Sequence, residues 1–187
     1  MNPDSIEILV LLSGGIDSAA CLHFYHRLGR STGCLFLNYG QPANVREEHP
    51  ATAIARYYAV PLMVRRLTGC GPKTTGEIAG RNTFLVGTGL LERTPSVRGV
   101  ALGIHAGTPY PDCSPRFVAA AQELATLQSV RVDILAPFLL WTKADVLTYC
   151  ADEHVPVHLT YSCEAGDPSP CGRCSSCLDR GATDACA

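Results

Sequence analysis

Apolar and polar positions along this chain follow two periods in turn. Ile6 to Leu12 is an almost unbroken apolar run closed by Gly14-Gly15, the pattern of a strand buried on both faces of a parallel sheet. From Asp17 to Leu28 the apolar residues Ala20, Cys21, Phe24 and Leu28 recur at helical spacing, and Gly29 supplies the stop. The alternation repeats: Gly33 to Leu37 reads as a strand, Val45 to Tyr58 as a helix and Pro61 to Arg66 as a strand. Further on come a helix from Thr83 to Glu92, a strand from Val97 to Ile104, a helix opening at Ser114-Pro115 and a strand from Arg131 to Ala136. Thr142-Lys143-Ala144-Asp145 has a capping-box pattern and opens a helix that ends near Glu153. The remaining residues mix Gly, Pro, Ser and Cys with little periodicity.

Strands alternating with helices predict an α/β fold, a doubly wound and mostly parallel sheet whose ligands gather at the carboxyl ends of the strands. The loops after Leu12, Leu37 and Ile104 should therefore face one pocket. With 187 residues, no repeat and no linker, a single domain over 1–187 is expected, its stretch 160–180 an appendage rather than a second domain.

Composition narrows the function. Charged residues make up 17% and the net charge is -2, so no overall basic field exists to hold a nucleic-acid backbone, and no direct nucleic-acid partner is expected. No apolar stretch approaches about 18 residues and the N-terminus lacks a basic leader, so the expected location is cytoplasmic, with no membrane partner. Ten cysteines in such a chain point to metal rather than disulfides. Cys163, Cys171, Cys174 and Cys177 cluster, with Gly166, Pro168, Pro170 and Gly172 shaping the loop, and four soft ligands favour a closed tetrahedral zinc site. An iron–sulfur cluster and free thiols are the competing readings. Arg173 and Arg180 are candidates to offset the charge of the thiolates. Cys21, Cys34, Cys70, Cys113, Cys150 and Cys186 read as small buried hydrophobes.

Ser13-Gly14-Gly15-Ile16-Asp17-Ser18 lies between the first strand and its helix, where backbone amides and a helix N-terminus make a nest for phosphate. Ser13 and Ser18 add hydroxyl donors, and Asp17 could hold magnesium or cap the helix. The plainer reading is a Gly-Gly turn followed by an N-capping Ser or Asp.

The string SGGIDS resembles the phosphate loop of the N-type ATP pyrophosphatases, whose fold is the adenine nucleotide alpha hydrolase-like (PP-loop) sheet. With NYGQ at 38–41, GRNTFL at 80–85, YPDCSPRF at 110–117, LWTKADV at 140–146 and SCEAGDPSPCGRCSSCLDR at 162–180, most of the chain resembles the 7-cyano-7-deazaguanine synthases of queuosine-precursor biosynthesis. That resemblance implies ATP, Mg2+ and Zn2+, a deazapurine acid such as 7-carboxy-7-deazaguanine, and ammonia or another amine. It implies nucleotide binding by Leu12, Ser13, Gly14, Gly15, Ile16, Asp17, Ser18 and Ala19, with Asp17, Ser18, Arg81 and Lys143 catalytic. Tyr39, Gln41, Asn82, Tyr110, Asp112 and Phe117 would face the substrate. Plainer readings stand beside these: a solvated first-turn lysine for Lys143, a surface charge for Arg81, a helix cap for Asp112. Relatives often dimerise, and Tyr57, Tyr58 and Trp141 are candidates for such a surface. The chain departs from the family where Pro42-Ala43 replaces Arg-His, where His105-Ala106-Gly107-Thr108 replaces a longer acidic stretch, and where 67–80 is shortened. The product expected is a nitrile made by two adenylations; a ligase that stops at an amide on a protein or other partner is the alternative. A thiolating enzyme and a binding module without turnover rank behind both.

Overall fold

The computed structural model describes residues 5–69, 78–128, 131–166 and 169–184. Cys70, Cys186 and most of the shortened 67–80 stretch lie outside the described residues.

Five strands, β1 (Ile8–Leu11), β2 (Thr32–Asn38), β3 (Leu62–Arg66), β4 (Gly99–Ala101) and β5 (Asp133–Leu135), pair in parallel in the order β3-β2-β1-β4-β5. The chain builds outward from β1 to β3, then returns beside β1 and builds the other way. The fold is therefore the doubly wound α/β sheet expected, and its switch point lies between β1 and β4.

Alternation along β1 sorts the two cores. Ile8 and Val10 point into a layer with α1 (Ile16–Arg27), α2 (Asn44–Tyr57) and α5 (Lys143–Asp152). Leu9 and Leu11 point the other way, against α3 (Arg81–Glu92) and α4 (Pro115–Leu127). Both faces of the strand must be apolar because both are covered, which is why Ile8 to Leu11 carries no polar residue. Cys21, Cys34, Cys113 and Cys150 are buried, as small hydrophobes should be.

Several details differ from expectation. Leu28 is not a core position: α1 ends at Arg27 and Leu28 is 60% exposed. β4 is shorter than the apolar run from Val97 to Ile104, although Val97, Leu102 and Ile104 are all buried, so burial outlasts the hydrogen-bonded ladder. The C-terminal stretch holds a helix that its composition concealed, α6 (Ser175–Asp184). Its hold on the domain is polar: Glu164 accepts from the hydroxyls of Ser175 and Ser176 at the helix start, and Arg180 donates to the carbonyls of Val157 and Thr160. Arg180 thus braces the chain leading into the cysteine cluster. Of the three aromatics considered for a dimer surface, Tyr57 is exposed, Tyr58 is buried, and Trp141 lies 4.7 Å from the buried ring of Phe138.

Candidate active site

The loop after β1 leads directly into the start of α1. The N-cap of α1 is Gly15, and among the described residues no side chain caps the helix. The uncapped first-turn amides can therefore take an anion, and the plainer reading of an N-capping Ser or Asp does not hold. Ser13 Oγ donates to Ser18 Oγ at 3.1 Å, and Ser18 Oγ donates to the Gly15 carbonyl at 3.0 Å, which holds the loop in its turn. Gly14 has φ +86°, and a Cβ there would meet the Glu47 carbonyl at 2.5 Å, so the loop lies flat against the first turns of α2. Gly14→Ala combines a left-handed strain of about 1–2 kcal/mol with a backbone clash. The variant should fold with a melting point several degrees lower, and ATP-dependent pyrophosphate release should fall at least about tenfold; scanning calorimetry and a pyrophosphate assay check both.

Two strand ends away, the capping box of α5 forms as the sequence implied: Thr142 Oγ1 accepts from the Asp145 amide, and Asp145 Oδ2 accepts from the Thr142 amide at 2.8 Å. That cap makes Lys143 the first helical residue and aims it inward. Lys143 Nζ donates to Asp17 Oδ1 at 2.6 Å and to Oδ2 at 2.8 Å, which removes the solvated-lysine reading. His105, after β4, completes the group, its Nε2 3.8 Å from Asp17 Oδ1. Burial drives the imidazole below its usual pKa range against the pull of Asp17. Sequence reasoning passed over His105 as a departure from a family pattern. The signal was available, since the loop after Ile104 had been expected to face the pocket.

A second cluster sits at the ends of β2 and α3. Gln41 spends its side-chain amide inside the protein, donating to the Leu37 carbonyl and to Glu47 Oε2, both at 3.0 Å, and accepting from the Tyr39 amide. Glu47 is held above its usual carboxylate range, by burial first, while the Gln41 bond and the charge of Arg81 pull it down. Glu48, its neighbour, faces outward and pairs with Arg66. Tyr39 is buried edge-on to Phe84 and pushed up to about 12 by burial, with Arg81 and Glu47 as its charged neighbours. Asn82 donates through its backbone amide to Asp112 Oδ2 and through Nδ2 to the Asp112 carbonyl. Asp112 is thus a cap, but of α3, and Ser114 caps α4 in its place. Tyr110 and Phe117 lie half-buried at the rim of the second core. The structure therefore groups Arg81, Tyr39, Gln41 and Glu47 by charge and hydrogen bond, and ties Asn82 to Asp112.

The four cysteine sulfurs lie within 4.8 Å of one another, with Cys171 and Cys177 at 3.9 Å. A tetrahedral zinc with bonds of about 2.3 Å separates its sulfurs by about 3.8 Å, so the donor set fits such an ion. Backbone amides of Arg173 and Cys174 hold Cys171 down to about 6, while burial and neighbouring sulfurs push Cys177 up to about 12. Sulfurs this close cannot all ionise unless a cation lies between them. The cluster reaches the phosphate loop through the chain before it: the Tyr161 amide donates to the Gly14 carbonyl at 3.0 Å.

Residues 7–71 and 71–184 match the family model for queuosine biosynthesis protein QueC. The chain belongs to the QueC family. Among curated relatives, the 7-cyano-7-deazaguanine synthase of Methanosphaerula palustris is 30% identical over 202 residues, covering 92% of this chain and 91% of that protein. The one from Prochlorococcus marinus is 30% identical over 203 residues, covering 92% and 90%, and that of Brucella ovis 29% over 206 residues, covering 94% and 87%. An alignment of 202 residues on 92% of a 187-residue chain requires stretches of the relative with no counterpart here. The QueC match itself breaks at residue 71, inside the stretch that the sequence marked as short. No helix among the described residues of this QueC-family protein is long and apolar enough to cross a membrane.

Proposed function

We propose that this QueC-family protein is an ATP-dependent carbon–nitrogen ligase that converts 7-carboxy-7-deazaguanine to 7-cyano-7-deazaguanine. The observation that carries this reading is the uncapped helix start beside the Asp17–Lys143 pair, in a chain that aligns with these synthases over nine-tenths of its length.

A carboxylate oxygen of the acid attacks the α-phosphorus of ATP, and pyrophosphate leaves with the electrons of the broken P–O bond. Ammonia then attacks the acyl carbon, AMP departs, and loss of a proton leaves the amide. Adenylation of the amide oxygen by a second ATP, with loss of AMP and two protons, gives the nitrile. Adenylation is needed because the oxygen lost at each stage is a poor leaving group.

In this reading the loop from Leu12 to Ala19 cradles the nucleotide, with the first-turn amides and the hydroxyls of Ser13 and Ser18 on the phosphates. The Asp17 carboxylate, hard oxygen beside a phosphate nest, suits Mg2+, which would neutralise phosphate charge. Lys143 and Arg81 supply positive charge toward the departing pyrophosphate. Tyr39, Tyr110 and Phe117 offer ring faces to the deazapurine. The hydrogen bonds that engage Gln41, Asn82 and Asp112 favour a role in shaping that pocket rather than reading the base. Zn2+ at Cys163, Cys171, Cys174 and Cys177 would be structural, and four reduced thiolates fit a cytoplasmic protein. The whole chain is proposed to act as one domain, including its appendage at 160–180, and Tyr57 remains the exposed aromatic for a homodimer contact.

One observation favours a second reading, a ligase that joins the acid as an amide to an amine on a protein or other partner. The family match breaks at residue 71, and a shorter segment there suits a nucleophile larger than ammonia. Incubating the protein with ATP, Mg2+ and the acid, with and without ammonium, and following pyrophosphate and product mass, tests both. The nitrile is the expected product. Release that stalls at adenylate or amide would select the ligase, and no release would sink both readings.

A further inference from the structure

His105 is 3% exposed, and its two ring nitrogens face the Gly107 amide and the Asp17 carboxylate. The Gly107 amide donates to Nδ1 at 3.1 Å, so Nδ1 carries no proton and the ring is the neutral tautomer with its N–H on Nε2. That Nε2 points at Asp17 Oδ1, 3.8 Å away, a separation of the kind that closes when a ligand tightens a catalytic site. Gly107 is wedged in place: a Cβ there would lie 2.9 Å from His105 Nδ1 and 3.0 Å from the Lys143 amide. The turn after β4 thus sets the imidazole against the start of α5, with Asp17 of α1, Lys143 of α5 and Asp179 of α6 as the charged groups around it.

We propose that His105 is a positioning residue whose Nε2–H holds Oδ1 of Asp17, leaving Oδ2 to face the divalent cation that accompanies the ATP phosphates. This rests on the reading of Asp17 as the cation's carboxylate. A neutral donor steadies the carboxylate plane without competing with the cation for its charge. Lys143, which bonds both oxygens of Asp17, could not do the same, since its own charge opposes the cation's arrival. With His105 on Asp17, Lys143 is free to turn to phosphate oxygen.

The test uses Mn2+ binding, followed by electron paramagnetic resonance in the presence of α,β-methylene-ATP, so that neither turnover nor the deazapurine acid enters the measurement. His105→Leu keeps the ring's bulk and loses its donor; His105→Gln keeps an N–H at the same reach. Loss of such an outer partner typically weakens metal binding by about 10–100-fold, so His105→Leu should weaken Mn2+ binding at least about tenfold, while His105→Gln stays within about threefold of the parent. Both variants are checked for folding by circular dichroism. A folded His105→Leu with parental Mn2+ affinity would overturn the proposal, as would equal weakening in Leu and Gln variants, which would make the ring a packing element only. If His105→Leu loses Mn2+ affinity and His105→Gln keeps it, but the parent makes neither nitrile nor amide, the synthase reading fails while the role of His105 stands.

Discussion

Asp17→Ala should reduce pyrophosphate release at least about a thousandfold while the protein still folds. A single preorganised charge or donor in such a site is commonly worth about 10²–10³ in turnover, and Asp17 serves two partners at once, the proposed Mg2+ and Lys143. Its side chain is 29% exposed and lies in the first turn of α1, outside both cores, so little packing is lost. The effect on melting should be small beside the effect on turnover. Asp17→Asn separates charge from shape: the amide oxygen can still accept from Lys143, but it carries no charge for a cation. Equal loss in both variants, measured as initial rates over a Mg2+ series, would assign the effect to charge. Retained turnover in either would remove Asp17 from the metal.

The second large effect belongs to the cysteine cluster, and it should reach the nucleotide. Structural zinc is worth about 10–16 kcal/mol in isolated zinc-finger peptides; a loss of only about 3 kcal/mol on removing one thiolate would lower the melting point of a domain this size by about 6–12 °C. Cys174→Ser should therefore fall short in bound metal by elemental analysis and melt in that range. Because the Tyr161 amide holds the Gly14 carbonyl, and Arg180 holds Val157 and Thr160, loosening the cluster should also weaken ATP binding. Cys113→Ser is the control, a buried cysteine outside the cluster whose loss should leave metal content at the parental level. Parental metal content in Cys174→Ser would overturn the four-thiolate site. Normal ATP binding in a metal-depleted variant would uncouple the cluster from the phosphate loop.

Much of this protein was legible along the chain because its signals are local. The strands and their flanking helices were read in order because burial on both faces erases polar positions from a parallel strand, as in Ile8 to Leu11. The phosphate loop and the cysteine cluster were read because each is contiguous. The capping box at Thr142 was read for the same reason. α6 was missed because its hold on the domain runs through Glu164 and Arg180, and polar anchors leave no apolar stripe to detect.

The sequence alone determined the architecture and the two motifs, since periodicity and spacing are properties of neighbouring residues. Only the tertiary structure decided which charges meet. Lys143 lies 126 residues from Asp17, and no local pattern distinguishes it from a solvated helix lysine. Glu47 and Glu48 are adjacent on one helix turn, yet Gln41 takes one and Arg66 the other. His105 became part of the site because a parallel sheet brings the carboxyl ends of β1 and β4 side by side, and that adjacency is written in strand order rather than in any stretch of chain.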